Sequence, residues 1–263
     1  MFLAYLTVHG RTLVDRELYL PQGWCNDLAR RAEAAIPVPV RFATKPALGL
    51  QMLRRAIEAG LPAQWVAADE AYGKDSKFRL WLQQHRMPYV LAIACNQKIP
   101  TENGSARADA LAAAAPIAAW KQRSCGDGAK GPRLFDWAVA TLPDTGTADH
   151  GFTRWLLIRR CIADPSELAY YLCYGPNGTD DEELIRVAGA RWAIEECFQT
   201  AKGQVGLDEY QVRRYDAWYR HITLVMYAHA FLVVTAKNAK GGATNGMDSS
   251  LSASPRSDVC WHT

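Results

Sequence analysis

The sequence has no excess of charge of one sign and no closely spaced cysteines. Its 263 residues carry 30 Lys and Arg against 27 Asp and Glu, a formal net charge of +3. Affinity for a polyanion must therefore come from local clusters of cations. The seven cysteines are scattered along the chain, which argues against a zinc site and against a disulfide framework. We expect a reducing, cytoplasmic location.

Long uninterrupted hydrophobic runs are also missing. The longest apolar stretch, residues 219–236, is broken by Arg220, His221 and His229, which predicts a core helix covered by other elements. The opening residues 1–6 are too short for a signal peptide, and we expect no membrane partner. A glycine-rich phosphate loop, a Gly-x-Ser-x-Gly elbow and a Cys-His nucleophile pair are absent too. Ordinary hydrolase and nucleotide-binding functions therefore have no motif to support them.

The first third of the chain has an α/β pattern. Two strand-like segments, 2–8 and 12–20, flank Gly10-Arg11 and predict a β-hairpin. Apolar strands at 65–68 and 89–93, joined through a helix, predict a parallel pair. Asp69 directly follows the first of these strands. The carboxyl end of such a strand is where open α/β sheets place their chemistry.

The middle of the chain is richer in strands. Runs at 134–138, 155–158 and 168–172 predict a largely β insertion, and Thr179 with Glu182 forms a capping box for a long helix. After Lys237 the sequence has few apolar residues, which predicts a disordered tail. The predicted segments are a core (1–95), a β-rich insertion (96–178), core helices (179–236) and a tail (237–263).

The long helix carries a stripe of charged residues. Arg191, Glu195 and Lys202 are spaced by four and seven residues, so they fall on one helical face, whereas Glu196 points elsewhere. A carboxylate flanked by cations suits a phosphodiester-cutting site, because it binds a hard cation while the cations hold phosphate oxygens. By spacing alone, a solvated ion-pair face is the more frequent origin of such a stripe.

Two aspartates have structural alternatives to a catalytic role. An acidic residue after a strand commonly caps the next helix, and Asp69 before Glu70 and Gly73 fits that role. Asp15 lies on a predicted strand, where a cross-strand ion pair is the expected role. A nuclease using Asp15 in place of a missing carboxylate is a further hypothesis, which we do not favour.

Residues 191–203 resemble the signature around the catalytic glutamate of DDE insertion-sequence transposases. That signature runs Tyr, two residues, Arg, three residues, Glu, six residues, Lys, and Arg191, Glu195 and Lys202 match its last three members. Ala188 stands where the family has tyrosine. Residues 66–73 are similar to the family's strand with the second aspartate, and 210–222 to its basic continuation. The branch with this signature also carries a β-rich insertion.

The resemblance implies an RNase H-like mixed sheet flanked by helices. It implies that Asp69 and Glu195 hold Mg²⁺ or Mn²⁺, two ions in an intact enzyme, and that Arg191 and Lys202 position phosphates. The family's central first strand carries a first aspartate, and the predicted hairpin matches the second and third strands. We therefore expect the first strand to be missing from this chain. Two carboxylates hold a metal pair poorly.

The resulting hypothesis is a DNA transposase that cleaves and transfers strands of an insertion sequence in a metal-dependent reaction. Its expected partners are transposon-end and target DNA and, by resemblance, a second copy in a synaptic homodimer. Arg213 and Arg214 are candidate backbone contacts or solvated surface charges. The alternative is a catalytically inert, truncated remnant that at most binds DNA.

Overall fold

The computed structural model describes residues 1–128, 131–144, 151–242 and 257–262. The chain is mixed α/β and forms two compact units. The first unit contains residues 1–62, 192–257 and 261–263, and the second contains 63–191 and 258–260. The division differs from the three-part core and insertion predicted above.

The first unit begins with the predicted hairpin. Its strands are β1 (Phe2–Thr7) and β2 (Gly10–Arg16), and they pair antiparallel. The turn is Val8–His9 and not the expected Gly10-Arg11, since Thr7 pairs with Gly10. The Thr7 hydroxyl accepts from the His9 backbone N–H at 3.0 Å and donates to the Gly10 carbonyl at 3.2 Å. These bonds close the turn before Gly10.

Five helical segments belong to the same unit. The segments are α1 (Gln22–Asn26), α2 (Leu28–Glu33), α3 (Lys45–Glu58), the second half of α7 (Asp181–Val205) and α8 (Tyr215–Gly242). Of these, α3, α7 and α8 contact the hairpin. Thr44 is the N-cap of α3, and its side chain accepts from the Ala47 backbone N–H. α8 packs on β2 and buries Trp218, Ile222 and Val225. The core of this unit therefore lies between the hairpin and the helices.

The prediction that α8 is a covered core helix holds for one face only. Leu224, Tyr227 and Phe231 are 63%, 72% and 61% exposed. By length and composition, Tyr215–Ala239 is the one helix among the described residues that is apolar enough to cross a membrane. Core helices of soluble proteins pass the same test. The helix is therefore weak evidence for a membrane span.

The second unit is built on a six-stranded mixed sheet in the order β3-β4-β10-β9-β8-β7. The strands are β3 (Trp65–Ala68), β4 (Tyr89–Ile93), β7 (Lys121–Gly128), β8 (Gly131–Thr141), β9 (Phe152–Arg160) and β10 (Leu168–Pro176). β3 and β4 are parallel, as predicted, and the other pairs are antiparallel. The expected insertion strands thus continue the β3–β4 sheet and do not form a separate subdomain.

Shorter elements surround this sheet. They are α4 (Glu70–Gly73), α5 (Ser76–Gln84), the hairpin β5 (Lys98–Thr101) and β6 (Gly104–Arg107), and α6 (Ala108–Ala114). α6 packs Ala108 and Ala112 against Ile93, Leu156 and Ile158 of the sheet. These buried contacts hold α6 against β4 and β9.

The other edge of β3 is paired by a strand from the predicted tail. β11 (Ser257–His262) runs parallel to β3, with Asp258 opposite Trp65 and Cys260 opposite Ala67. α8 also continues to Gly242, six residues beyond the predicted end of the core helices at 236. Residues 237–242 and 257–262 of the predicted disordered tail are therefore helix and strand in the structure. Helix and ladder hydrogen bonds satisfy their backbone groups. Residues 243–256 and 263 lie outside the described residues.

The N-cap of α7 lies one residue later than predicted. The Asp180 side chain accepts from the Glu183 backbone N–H at 2.7 Å, so Asp180 caps the helix in place of Thr179. Inside the helix, a Cβ on Gly189 would lie 2.1 Å from the Cys125 carbonyl oxygen of β7. Arg133 donates to both the Gly189 and Cys125 carbonyls. The start of α7 is thereby fixed to the sheet of the second unit.

Candidate active-site residues

Asp69 lies at the carboxyl end of β3, as predicted. All four residues of β3 are buried, and Asp69 is half-buried. Its Oδ1 accepts from the Ala71 backbone N–H at 2.9 Å and caps α4. The helix-capping role foreseen for Asp69 is therefore present in the structure. A cap fixes the carboxylate in one orientation, because the carboxylate compensates a backbone donor that the helix leaves unpaired.

The turn that holds Asp69 is closely packed. Tyr72 is fully buried, and burial, together with the negative charge of Asp69, raises the pKa of its phenol. Gly73 ends α4 directly against β4, where an added Cβ would lie 1.8 Å from the Ala92 carbonyl oxygen. Arg79 donates to the Gly73 carbonyl from the next helix. Only glycine fits at position 73 without movement of the backbone.

Glu195 lies on an exposed part of α7, next to a carboxylate that is already paired. The side chain of Glu196 meets Arg11 of β2 at 2.6 Å, and both are only partly exposed. Glu195 itself is exposed. Glu195, which matches the transposase signature, is thus the more exposed of the two neighbouring glutamates. Glu196 points elsewhere, as predicted.

Arg191 and Lys202 share the uninterrupted helix α7 with Glu195, as the predicted stripe requires. Burial raises the pKa of the Tyr171 phenol, and the positive charge of Arg191 opposes that shift. The Lys202 ammonium lies 3.5 Å from Asp208, and about half of each side chain is exposed. An exposed pair of this kind is weak and opens readily. Lys202 is therefore available to a stronger anion.

The other basic candidates lie just before α8. Arg213 and Arg214 are both exposed. Arg214 pairs locally with Asp216, its Nε lying 3.1 Å from Oδ1, and this pairing lowers the pKa of the Asp216 carboxyl. The structure thus favours a surface ion pair for Arg214 and leaves the role of Arg213 as a prediction.

Asp15 is engaged in an ion pair, but its partner is not across the strand. Leu3 is the residue opposite Asp15 in the β1–β2 ladder. The carboxylate instead accepts from the Arg55 Nε of α3 at 2.9 Å, and Arg55 also binds Glu17. The cross-strand prediction is wrong because the strand pattern gives no information about the helix packed on that face.

Several polar contacts between distant parts of the first unit were not predicted from the sequence. Among them are the pair between Arg11 and Glu196 and the contact between Thr12 and buried His229, with 3.1 Å between the hydroxyl and Nδ1. Thr12 and His229 are 217 positions apart in the chain. A local pattern cannot reveal such contacts. The sequence signal for the second contact was His229 itself, a histidine within the apolar stretch that was predicted to be a covered core helix.

The two predicted metal ligands fall in different units. Asp69 belongs to the second unit and Glu195 to the first. Within the parts of the chain that the structure describes, no three His, Cys, Asp or Glu side chains group closely enough to hold a metal ion. Carboxylate oxygens are the donors that Mg²⁺ prefers. The two carboxylates therefore fit the metal in type but not in number.

The comparisons with known proteins point in the same direction as the signature. Residues 1–116 match a family described as DDE superfamily endonuclease. No curated protein matches the chain. The matched segment includes Asp69 but ends before Glu195. The match supports a family of the DDE nuclease or transposase type, which generally uses divalent metals and acts on DNA.

Proposed function

We propose that the chain is a DDE-type DNA transposase of an insertion sequence, with an RNase H-like fold. The observation that carries the proposal is the position of Asp69, which follows a buried parallel strand inside the segment that matches the endonuclease family. Glu195 supports it as an exposed carboxylate on α7 that matches the glutamate of the transposase signature. The reaction class is cleavage of a DNA phosphodiester followed by strand transfer.

In this proposal Asp69 and Glu195 hold Mg²⁺ or Mn²⁺. A divalent ion held there would supply Lewis-acid chemistry for phosphodiester cleavage. Because the described donors are too few for two ions, we assign no reaction step through the metal. The protein's own contribution is to orient the two carboxylates, Asp69 through its cap on α4 and Glu195 through the rigid helix α7.

The basic residues have a separate role in this proposal. Arg191 and Lys202 position phosphate oxygens, and Arg213 is a secondary backbone contact, whereas Arg214 must first leave Asp216. Replacing Lys202 should weaken DNA binding more than metal binding, and an equal loss of both would contradict this division. We further infer a cytoplasmic protein with DNA as partner and a homodimer in the synaptic complex.

A catalytically inert, DNA-binding protein is the second candidate. It is favoured by the lack of any three-member ligand group among the described residues. The two functions differ in one measurable property. An inert protein binds duplex DNA but leaves it intact in the presence of Mg²⁺ or Mn²⁺.

The test is cleavage of end-labelled duplex DNA in Mg²⁺ or Mn²⁺ by the wild-type chain and by Glu195→Gln and Glu196→Gln. The two variants are matched, since they remove equal charge from adjacent positions of one helix. We expect the wild type to cleave, Glu195→Gln to lose at least about 100-fold in rate, and Glu196→Gln to keep most of it. A wild-type chain that binds but never cleaves supports the inert candidate. Equal losses in both variants would overturn the assignment of Glu195.

A further inference from the structure

A cleft in the first unit lies outside the residues assigned above. It has a volume of about 370 Å³ and is formed by the β1–β2 turn, α7 and α8. Its polar lining comes from residues of all three elements: His9, Arg11, Thr200, Gln204, His229 and Lys237. The three elements are far apart in sequence, so the cleft exists only in the folded chain.

The rim of the cleft is basic. Arg11, His9 and Lys237 are exposed, and no Asp or Glu is among the described residues that line it. Glu196 binds Arg11 at 2.6 Å from outside this lining. A guanidinium has five N–H donors in a fixed fork, so one carboxylate does not exhaust it. The ion pair therefore orients Arg11 and leaves donors for a second anion.

The floor of the cleft is uncharged. Burial lowers the pKa of the His229 imidazole, and its Nδ1 contacts the Thr12 hydroxyl at 3.1 Å. The buried Cys197 side chain lies with it in the lining. Gln204 adds an amide N–H₂ to the wall. A neutral floor under a cationic rim suits an anion that enters from solvent and stays partly hydrated.

We propose that this cleft binds a phosphate group of the DNA backbone. The proposal rests on the proposed function, because α7 supplies both Glu195 and the wall residues Thr200 and Gln204. Arg11 and Lys237 would contact phosphate oxygens from opposite elements, which fixes the position of a strand without reading its sequence. Free phosphate has the same oxygens, so the experiment must separate these two sources.

The test compares duplex binding by Arg11→Gln/Lys237→Gln with that by Arg41→Gln/Lys45→Gln. The second variant removes the same charge from the same unit, at and just before the start of α3 and outside the cleft lining. Binding of a labelled 30-bp duplex is measured by fluorescence anisotropy in EDTA at several salt concentrations. We expect the cleft variant to bind about tenfold more weakly and to lose about 1 unit of salt slope for each cation, with little change in the control.

Three outcomes would overturn the proposal. Equal weakening in both double variants would show a general effect of charge. Loss of inorganic phosphate binding, measured by calorimetry, with unchanged duplex affinity would assign the cleft to free phosphate. Unchanged binding of both would leave the cleft without an anion role. Lys237→Gln alone, at an exposed position, repeats the test if loss of Arg11 disturbs folding.

The cleft assignment and the proposed transposase activity can fail independently of each other. Binding in EDTA does not require cleavage, whereas the Glu195→Gln test does. If Glu195→Gln abolishes cleavage but the cleft variant binds duplex normally, only the cleft assignment is wrong. If the cleft variant binds poorly but the wild-type chain never cleaves, the cleft assignment stands and the transposase activity does not.

Discussion

The two candidate carboxylates lie in opposite local environments. Asp69 is half-buried, accepts a backbone hydrogen bond and lies beside the fully buried Tyr72. Glu195 is exposed on the surface of α7 and contributes to no helix cap. Asp69 therefore has a role in the fold as a helix cap, whereas Glu195 lies at an exposed position within a helix.

The cap formed by Asp69 is compatible with its proposed role as a metal ligand. An acidic residue after a strand commonly caps the next helix, and Asp69 forms such a cap. A cap does not exclude metal binding, because a carboxylate has two oxygens and about four lone-pair directions. Stability and activity must therefore be measured separately at each carboxylate.

The largest expected effect is at the glycine of the Asp69 turn. Gly73→Ala places a Cβ 1.8 Å from the Ala92 carbonyl oxygen, so backbone must move. We expect a loss of about 3 kcal/mol or more in the free energy of unfolding, measured by urea denaturation. Gly203→Ala in α7 is the matched control, since no atom lies within 4 Å and alanine favours helix by up to about 1 kcal/mol. A Gly73→Ala protein as stable as wild type would show that the turn is loosely packed.

The next largest effect concerns the strand that leads to Asp69. A chain ending at Gly242 lacks β11 and exposes the edge of β3 that pairs with residues 258–260. We expect a loss of roughly 1–3 kcal/mol and faster hydrogen exchange in β3, because ladder hydrogen bonds are replaced by water. Exchange in β9, which pairs on both edges with β8 and β10, serves as an internal reference. Unchanged exchange in β3 would contradict a stabilising role for β11.

A smaller effect separates the two carboxylates themselves. Asp69→Ala removes the cap on α4 and should cost about 1 kcal/mol, whereas Asp69→Asn keeps a capping oxygen and should cost less. Glu195→Ala, at an exposed helix position, should change stability by less than about 0.5 kcal/mol. Thermal unfolding followed by circular dichroism measures all three. Equal costs at Asp69 and Glu195 would remove the contrast drawn above.

The smallest effect is a pH dependence in the first unit. Burial lowers the pKa of His229 below its ordinary 6.5, so the unfolded chain takes up a proton first as the pH falls. The stability from this histidine is present above 6.5 and is lost progressively below it. Urea midpoints at pH 7.5 and 5.5 should differ less in His229→Gln than in the wild type. His85→Gln, on an exposed part of the chain, is the control and should keep the wild-type difference.

Local patterns predicted much of the second unit. The parallel pair β3–β4, the helix between them and the position of Asp69 follow from short apolar runs and the residues that end them. The capping box at Thr179 did not hold, because Asp180 offered a carboxylate one residue nearer the helix. The β-rich segment was predicted as a separate insertion, yet its strands extend the same sheet. Strand propensity does not specify which edge a strand will join.

The sequence by itself determined the α/β character of the chain, the strand before Asp69 and the helical stripe of Arg191, Glu195 and Lys202, since each depends on neighbouring residues. Only the tertiary structure decided that Glu196 is paired with Arg11 and that β11 joins β3. These contacts connect residues far apart in the chain. Their free energy comes from burial and pairing that exist only after folding, and no local pattern encodes the partner.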